Sequence, residues 1–262
     1  MAVLTLARKI IMSKELHLCV VMSDSYLDIY RNIFNQTLPR EFSTIDILHI
    51  RDLDSTPGLV GEENFKNINY RRLQFVRRQM TTYKGDNLLV LDIDAVCFRN
   101  FKNEINDLLE NNDMVFQRNP HYRTKPYCIA TWALQCSEKN MDFFYREVMP
   151  RAEALKITKE MWDHIYKTGK SAPGKWFHHL DGKQTYYDGD ACVINAAILE
   201  SDSGKELNVA LLPDTYTQDP IGGSRLEDCV LYQCAGNQGA TEKAAALINT
   251  YHHIKAKVVL DK

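Results

Sequence analysis

Leu88-Leu89-Val90-Leu91-Asp92-Ile93-Asp94 is a run of four apolar residues followed by two carboxylates with a single residue between them. Such a run is too short for a helix and too apolar for a strand with one wet face. It predicts a buried central strand of a largely parallel sheet. Asp92 and Asp94 then fall at the carboxyl end of that strand, the edge at which open α/β sheets bind ligands. Side chains alternate along a strand, so residues two apart point the same way. Two carboxylates on one side repel each other unless a cation sits between them or one keeps its proton. Their oxygens suit a hard divalent ion, Mg²⁺ or Mn²⁺. A pair of loop aspartates just past a strand is the plainer alternative. So apolar a strand, with only Ile93 between the acids, favours a metal site.

The elements on either side support a sheet around this strand. Leu16 to Met22 reads as a first strand and Ser23-Asp24-Ser25 as the turn into a helix carrying Tyr26, Ile29, Tyr30, Ile33 and Phe34. Ser23 and Asp24 either cap that helix or touch a nucleotide at the sheet's ligand edge. Thr44 to Ile50 is a second strand, and Asp52 to Gly61 a loop rich in Pro, Gly and acid. Phe65 to Tyr83 is a long helix with Tyr70, Leu73, Val76 and Met80 on its apolar face and Arg71, Arg72, Arg77 and Arg78 around it. Strand, helix, strand, helix and then the acid-bearing strand is the order of an α/β fold. Further on, Asn106 to Glu110 predicts a helix, Asp113 to Gln117 and Tyr127 to Gln135 strands, and Met141 to Met149 an amphipathic helix. Residues 150–185 are irregular and aromatic, and His178 and His179 read as loop residues rather than a metal pair. Val209 to Leu212 and Cys229 to Gln233 are strand-like, and Thr241 to Lys255 is a terminal amphipathic helix whose late cations suit its dipole.

A second chemical stretch is Tyr187-Asp188-Gly189-Asp190-Ala191-Cys192-Val193-Ile194-Asn195, leading into an apolar helix over Ala196 to Leu199. Asp188 or Asp190 caps that helix in the plain reading. A carboxylate at a helix start near the ligand edge is equally placed to hold sugar hydroxyls.

Composition narrows the class. The chain has 262 residues, 45% hydrophobic and 25% charged, with a net charge of −2, enough for one full α/β core. Balanced charge gives no reason to expect nucleic acid or an acidic membrane as partner. Seven cysteines, an odd number without a C-x-x-C pair, read as reduced core residues rather than disulfides or zinc ligands. Ala2 to Met12, interrupted by Arg8 and Lys9, is too short for a transmembrane helix and lacks a cleavage site. A cytoplasmic protein without stable membrane insertion is the expectation.

With these stretches in order, the sequence resembles nucleotide-sugar-dependent glycosyltransferases of the GT-A fold. It is most similar to retaining enzymes of the galactosyltransferase and glycogenin kind and to plant-type α-xylosyl- and galactosyltransferases. Tyr70-Arg71-Arg72-Leu73 looks like the family's Tyr-x-Arg-Leu, Leu91-Asp92-Ile93-Asp94 like its D-x-D motif, and Gly189-Asp190 through Asn195 like its Asp-Gln-x-x-x-Asn stretch. Ala191 stands where the family has glutamine, and Gln233, three before Gly236, where it has a metal-binding histidine.

The resemblance implies a single GT-A domain over residues 1–262, with a mixed, mainly parallel central sheet flanked by helices. A nucleotide-binding half spans about 14–117, a donor-sugar and acceptor half about 118–240, and a C-terminal helix 241–262. It implies transfer of a hexose or pentose from a nucleotide-sugar, UDP being the common carrier, to a glycan or other hydroxyl acceptor with retention. Mn²⁺ or Mg²⁺ would be held by Asp92, Asp94 and the Gln233 carbonyl. Asp190 and Arg72 would be catalytic, and Ser23, Asp24, Arg72, Asp92 and Asn195 would contact the donor. Trp162, Trp176 and His178, in the 118–185 region, would carry the acceptor side, since aromatic faces stack on sugars.

A haloacid-dehalogenase-like phosphatase is the rival. Asp92-Ile93-Asp94-Ala95-Val96 fits its nucleophile motif, with Asp92 phosphorylated and Asp94 as general acid. Its second acidic motif fails at Ile194, and about ninety residues precede a strand that this family places near its start. A non-catalytic sugar-nucleotide or glycan binder is the third reading, because of Ala191 and Gln233.

Overall fold

The computed structural model describes residues 14–50, 63–119, 126–155, 178–180, 183–185, 189–217, 228–234 and 240–260. Its centre is a six-stranded mixed sheet built from β1 (Leu16–Ser23), β2 (Ile45–Ile50), β3 (Asn87–Asp92), β5 (Met114–Arg118), β6 (Tyr127–Gln135) and β9 (Val209–Leu211). The order is β2-β1-β3-β6-β5-β9. β1 pairs parallel with β2 and β3, and β5 with β9, whereas β6 runs antiparallel to both β3 and β5. The mainly parallel, mixed α/β sheet expected from the sequence is therefore the fold.

β3 lies between β1 and β6 and is buried on both faces, which is why it reads as an unbroken apolar run. Leu88 and Val90 face one layer, packed with Leu73, Val76 and Met80 of helix α1 (Glu63–Thr82) and with Val193, Ile194 and Ala197 of helix α3 (Asp190–Glu200). Leu89 and Leu91 face the other, against Phe101 and against Ile105 and Leu109 of helix α2 (Lys102–Asn111). Asp92 shares the parity of Leu88 and Val90, so it emerges on the side of α1 and α3.

Several elements differ from expectation. A short strand β4 (Ala95–Cys97) follows the acid pair and joins β10 (Tyr216–Thr217) and β11 (Leu231–Gln233) in a second sheet of order β10-β11-β4. Three residues bounded by a turn carry too little periodicity to be read as a strand; the pairing makes it one. Helix α3 begins at Asp190 rather than Ala196, because its first turn is anchored by tertiary contacts. His178 belongs to a strand, β7 (His178–Leu180), paired antiparallel with β8 (Lys183–Thr185), and not to a loop. The last helix, α4, runs from Ala240 to Leu260. The expected loop at 52–61, Asp188, and Trp162 and Trp176 lie outside the described residues.

Candidate active site

The chain ends of three layers meet at the carboxyl end of β3. Asp92 closes the strand, Arg72 comes from the middle of α1, Asp190 opens α3, and Gln233 ends β11. The pairing of Gln233 with Ala95 sets its side chain beside the acid pair, and Cys234 N–H donates to the Asp94 carbonyl at 3.0 Å.

Arg72 organises one side. It is buried, its Nη1 lies 2.8 Å from Asp92 Oδ1 and 3.7 Å from Asp190 Oδ2, and its Nη2 donates to the Ile129 carbonyl at 2.5 Å. Burial works against its charge, but Asp92 and Asp190 more than offset this and hold the guanidinium protonated. Arginine suits the role because its planar fork can serve two acceptors at once. On the apolar face of α1 it takes the place of an aliphatic residue, and only its partners make that burial tolerable.

Asp92 keeps 30% of its side chain exposed, and its carboxyl is pushed upward by burial, against the pull of Arg72 and with further push from Asp94 and Asp190. The Asp190 carboxyl is pushed up to about 6 by burial, opposed by Arg72 and by backbone N–H donors. Its Oδ1 accepts the Ala191 N–H at 3.1 Å, while Oδ2 is buried without a hydrogen-bond partner among the described residues. An acceptor oxygen left open beside a guanidinium is an arrangement that a bound hydroxyl would complete.

The other side of the pair holds a residue that sequence reasoning missed. Lys243, in the first turn of α4, places its Nζ 2.5 Å from Asp94 Oδ2 and 5.8 Å from the centre of the Tyr26 ring. Burial lowers its proton affinity, but Asp94 and Tyr26 raise it further, so the ammonium is held charged. The available signal was its helical spacing: Lys243 stands one turn before the fully buried Leu247, on the inward face of an amphipathic helix.

Ser23 and Asp24, the donor residues expected at the end of β1, each contact another side chain. Ser23 Oγ bonds Ser25 Oγ at 2.9 Å, and Asp24 Oδ1 is 2.6 Å from His49 Nε2; neither caps the helical segment that follows. Asn195 differs from expectation. Its Oδ1 accepts the Tyr127 N–H at 3.1 Å, and its Nδ2 donates to the Tyr127 and Ala191 carbonyls, each at 2.8 Å. Two of these bonds clamp α3, the helix that Asp190 opens, to β6, and both amide N–H groups are spent within the protein.

The divalent ion implied by the resemblance has to be weighed against these contacts. Asp92 Oδ2 and Asp94 Oδ1 do converge on a common point, but that point is the Gln233 Nε2, at 3.4 and 3.1 Å. The amide must turn its N–H₂ inward, because carboxylates offer only acceptors. The Gln233 carbonyl, expected as a ligand, is buried elsewhere without a hydrogen-bond partner among the described residues. Lys243 covers the remaining Asp94 oxygen, and no group of three or more His, Cys, Asp or Glu among the described residues is arranged to hold a metal. As arranged, these residues do not fit a divalent ion.

No family model matches the sequence, and no curated protein does. Solved structures do match. A glycosyltransferase involved in glycosylation of the major capsid of PBCV-1 superimposes with a TM-score of 0.51 over 89% of this chain and 98% of its own, at 8% identity. The glycosyltransferase GlyE of Streptococcus pneumoniae TIGR4 covers 92% of this chain and 64% of its own at 11% identity, TM-score 0.47. The galactosyltransferase LgtC, solved with donor and acceptor sugar analogs, covers 88% and 95% at 12% identity, TM-score 0.44. At such identities the likeness, carried by the first, is one of fold. The fold is α/β of the GT-A glycosyltransferase type. No helix among the described residues is long and apolar enough to cross a membrane.

Proposed function

We propose that the chain is a glycosyltransferase that moves a sugar from a nucleoside-diphosphate donor, UDP-linked in the first instance, to a hydroxyl of a glycan or glycoconjugate. The observation that carries this reading is the junction of Asp92, Asp94, Arg72 and Asp190 at the ligand edge of a GT-A-type sheet, with Asp190 Oδ2 buried and open. In this reading Arg72 and Lys243 offset the charge that builds on the departing diphosphate, in a site dry enough for such charges to count. Asp190 accepts hydrogen bonds from the donor sugar and steadies positive charge at the anomeric carbon. The bond from that carbon to the phosphate oxygen breaks as the bond to the acceptor oxygen forms. The acceptor's proton passes to the leaving phosphate, which needs no protein base and suits retention.

Phosphoester hydrolysis fits less well. Asp92, the residue a phosphatase would use as nucleophile, has one oxygen engaged by Arg72 at 2.8 Å and the other facing Gln233 at 3.4 Å, and Ile194 is 0% exposed where a second acid would be needed.

Thermal unfolding with UDP, GDP, ADP and CDP tests the proposal, since a ligand of the native state raises Tm by mass action. A shift with one nucleotide, lost in Arg72→Met, and release of that nucleotide from its sugar conjugates are expected. No shift with any of them, together with phosphate-ester turnover abolished by Asp92→Asn, would overturn it.

A further inference from the structure

Lys243 is buried at 9% exposure in the first turn of its helix, where the dipole disfavours a cation. Burial also strips the ammonium of water. The main compensation is the 2.5 Å bond to Asp94, whose side chain is itself only 6% exposed, with Tyr26 as a second neighbour. A lysine serving the fold alone would do better with its ammonium at the surface and its stem along the core. Here the charged end is directed at the second acid of the D-x-D pair.

We infer that the Lys243 ammonium takes the place of a divalent metal at Asp94, so that the site binds a nucleoside diphosphate without one. The inference rests on the nucleotide-sugar reading above for its ligand. Its geometry stands independently. Both Asp94 oxygens already accept N–H groups, from Lys243 and from Gln233. A hard cation binds carboxylate oxygens at about 2.1–2.5 Å and needs their lone pairs unshared with a second cation. An ion placed on Asp94 would sit beside the ammonium and repel it. Gln233 would have to exchange two N–H contacts for a carbonyl facing two carboxylates.

The ammonium meets the needs of a diphosphate in another way. It is a compact charge with three donors, of which Asp94 and the Tyr26 hydroxyl take two, leaving one for a phosphate oxygen. Lys243 serves the Asp94 side of the pair and Arg72 the Asp92 side, so phosphate oxygens entering between them meet a cation from each direction.

The test titrates Mn²⁺ and UDP separately into the full chain, following Mn²⁺ by electron paramagnetic resonance and UDP by calorimetry. In the wild type, UDP affinity should agree within about twofold between EDTA and Mn²⁺, and free Mn²⁺ should not bind below millimolar concentration. Lys243→Met should lose at least about tenfold in UDP affinity in EDTA and gain at least about tenfold in Mn²⁺ affinity, because Asp94 is uncovered. Lys243→Arg should keep metal-free UDP binding. Micromolar Mn²⁺ binding by the wild type that disappears in Asp94→Asn, or UDP binding abolished by EDTA, overturns the inference. If Lys243→Met does not fold, the wild-type arms and Lys243→Arg decide. If the wild type binds no nucleoside diphosphate in either condition, the nucleotide-sugar reading fails, and with it the diphosphate role. The Mn²⁺ arm still decides whether Lys243 holds the cation position.

Discussion

Arg72 Nη1 lies 2.8 Å from Asp92 Oδ1, joining the middle of α1 to the carboxyl end of β3 through a guanidinium almost closed to water. The same nitrogen is 3.7 Å from Asp190, so one side chain links three layers of the fold at the candidate active site. Removing it leaves two carboxylates facing each other with their counter-ion gone. Arg72→Met should lower stability by roughly 2–4 kcal/mol, near the value for a broken buried pair and tempered by the partial exposure of Asp92. Urea denaturation measures it. Combining Arg72→Met with Asp92→Asn should recover part of the loss; strict additivity would show that the two residues are not coupled.

Asp190 gives the fold a pH dependence of defined sign. Its carboxyl binds a proton more tightly in the folded chain, about 6 against an ordinary 3.8. Its stabilising contribution is therefore complete below the ordinary value and lost as pH rises through about 6. Asp190→Asn should remove a decline on the order of 2–3 kcal/mol between acid and neutral pH. Parallel stability–pH curves for the two proteins would refute this.

The same substitution should lower transfer while leaving the chain folded. Asp190 is assigned to the sugar, so Asp190→Asn should reduce kcat by about 10²–10³, the range for losing one preorganised group. UDP affinity should change less than threefold. An equal loss in UDP binding would place Asp190 at the nucleotide instead.

Asn195 should behave in the opposite way. Two of its amide's three hydrogen bonds hold α3 to β6 through Tyr127, the third goes to Ala191 within α3, and both N–H groups are thereby taken. Asn195→Leu should cost roughly 2–4 kcal/mol by leaving the Tyr127 backbone groups unpaired in the interior. At a temperature where the variant is folded, KM for the donor should stay within about threefold of wild type. A selective rise in KM would restore the donor contact.

Gln233 is the shared neighbour of both acids. Gln233→Leu removes the N–H₂ that bridges Asp92 and Asp94 and should destabilise by roughly 1–3 kcal/mol through the unmet Asp94 oxygen. Gln233→Glu should be worse, because it sets a third carboxylate against the pair. Thermal melts of the two variants give the ranking, and a more stable Glu variant would contradict the contacts seen here.

The sequence by itself determined the sheet and the position of its ligand edge. An apolar strand buried on both faces cannot be written any other way, so Leu88 to Asp92 announced β3 and put Asp92 at its end. Helical spacing did the same for α1, and turn residues for β1 and β2. These are local signals, each complete within a few residues. The tertiary structure decided the partners of each charge. Arg72 was one of four arginines on a helix; its place one turn before Val76 put it beside the apolar face, but only Asp92 and Asp190 make a buried arginine there tolerable. Asn195 matched a donor-binding pattern, yet the approach of β6 claims its amide. β4 exists only because β11 pairs with it, and that pairing brings Gln233 to the acids. Lys243 follows Asp94 by 149 positions, and only the packing of α4 sets ammonium and carboxylate 2.5 Å apart. Burial and pairing of charge depend on contacts far apart in the chain, and no local pattern carries them.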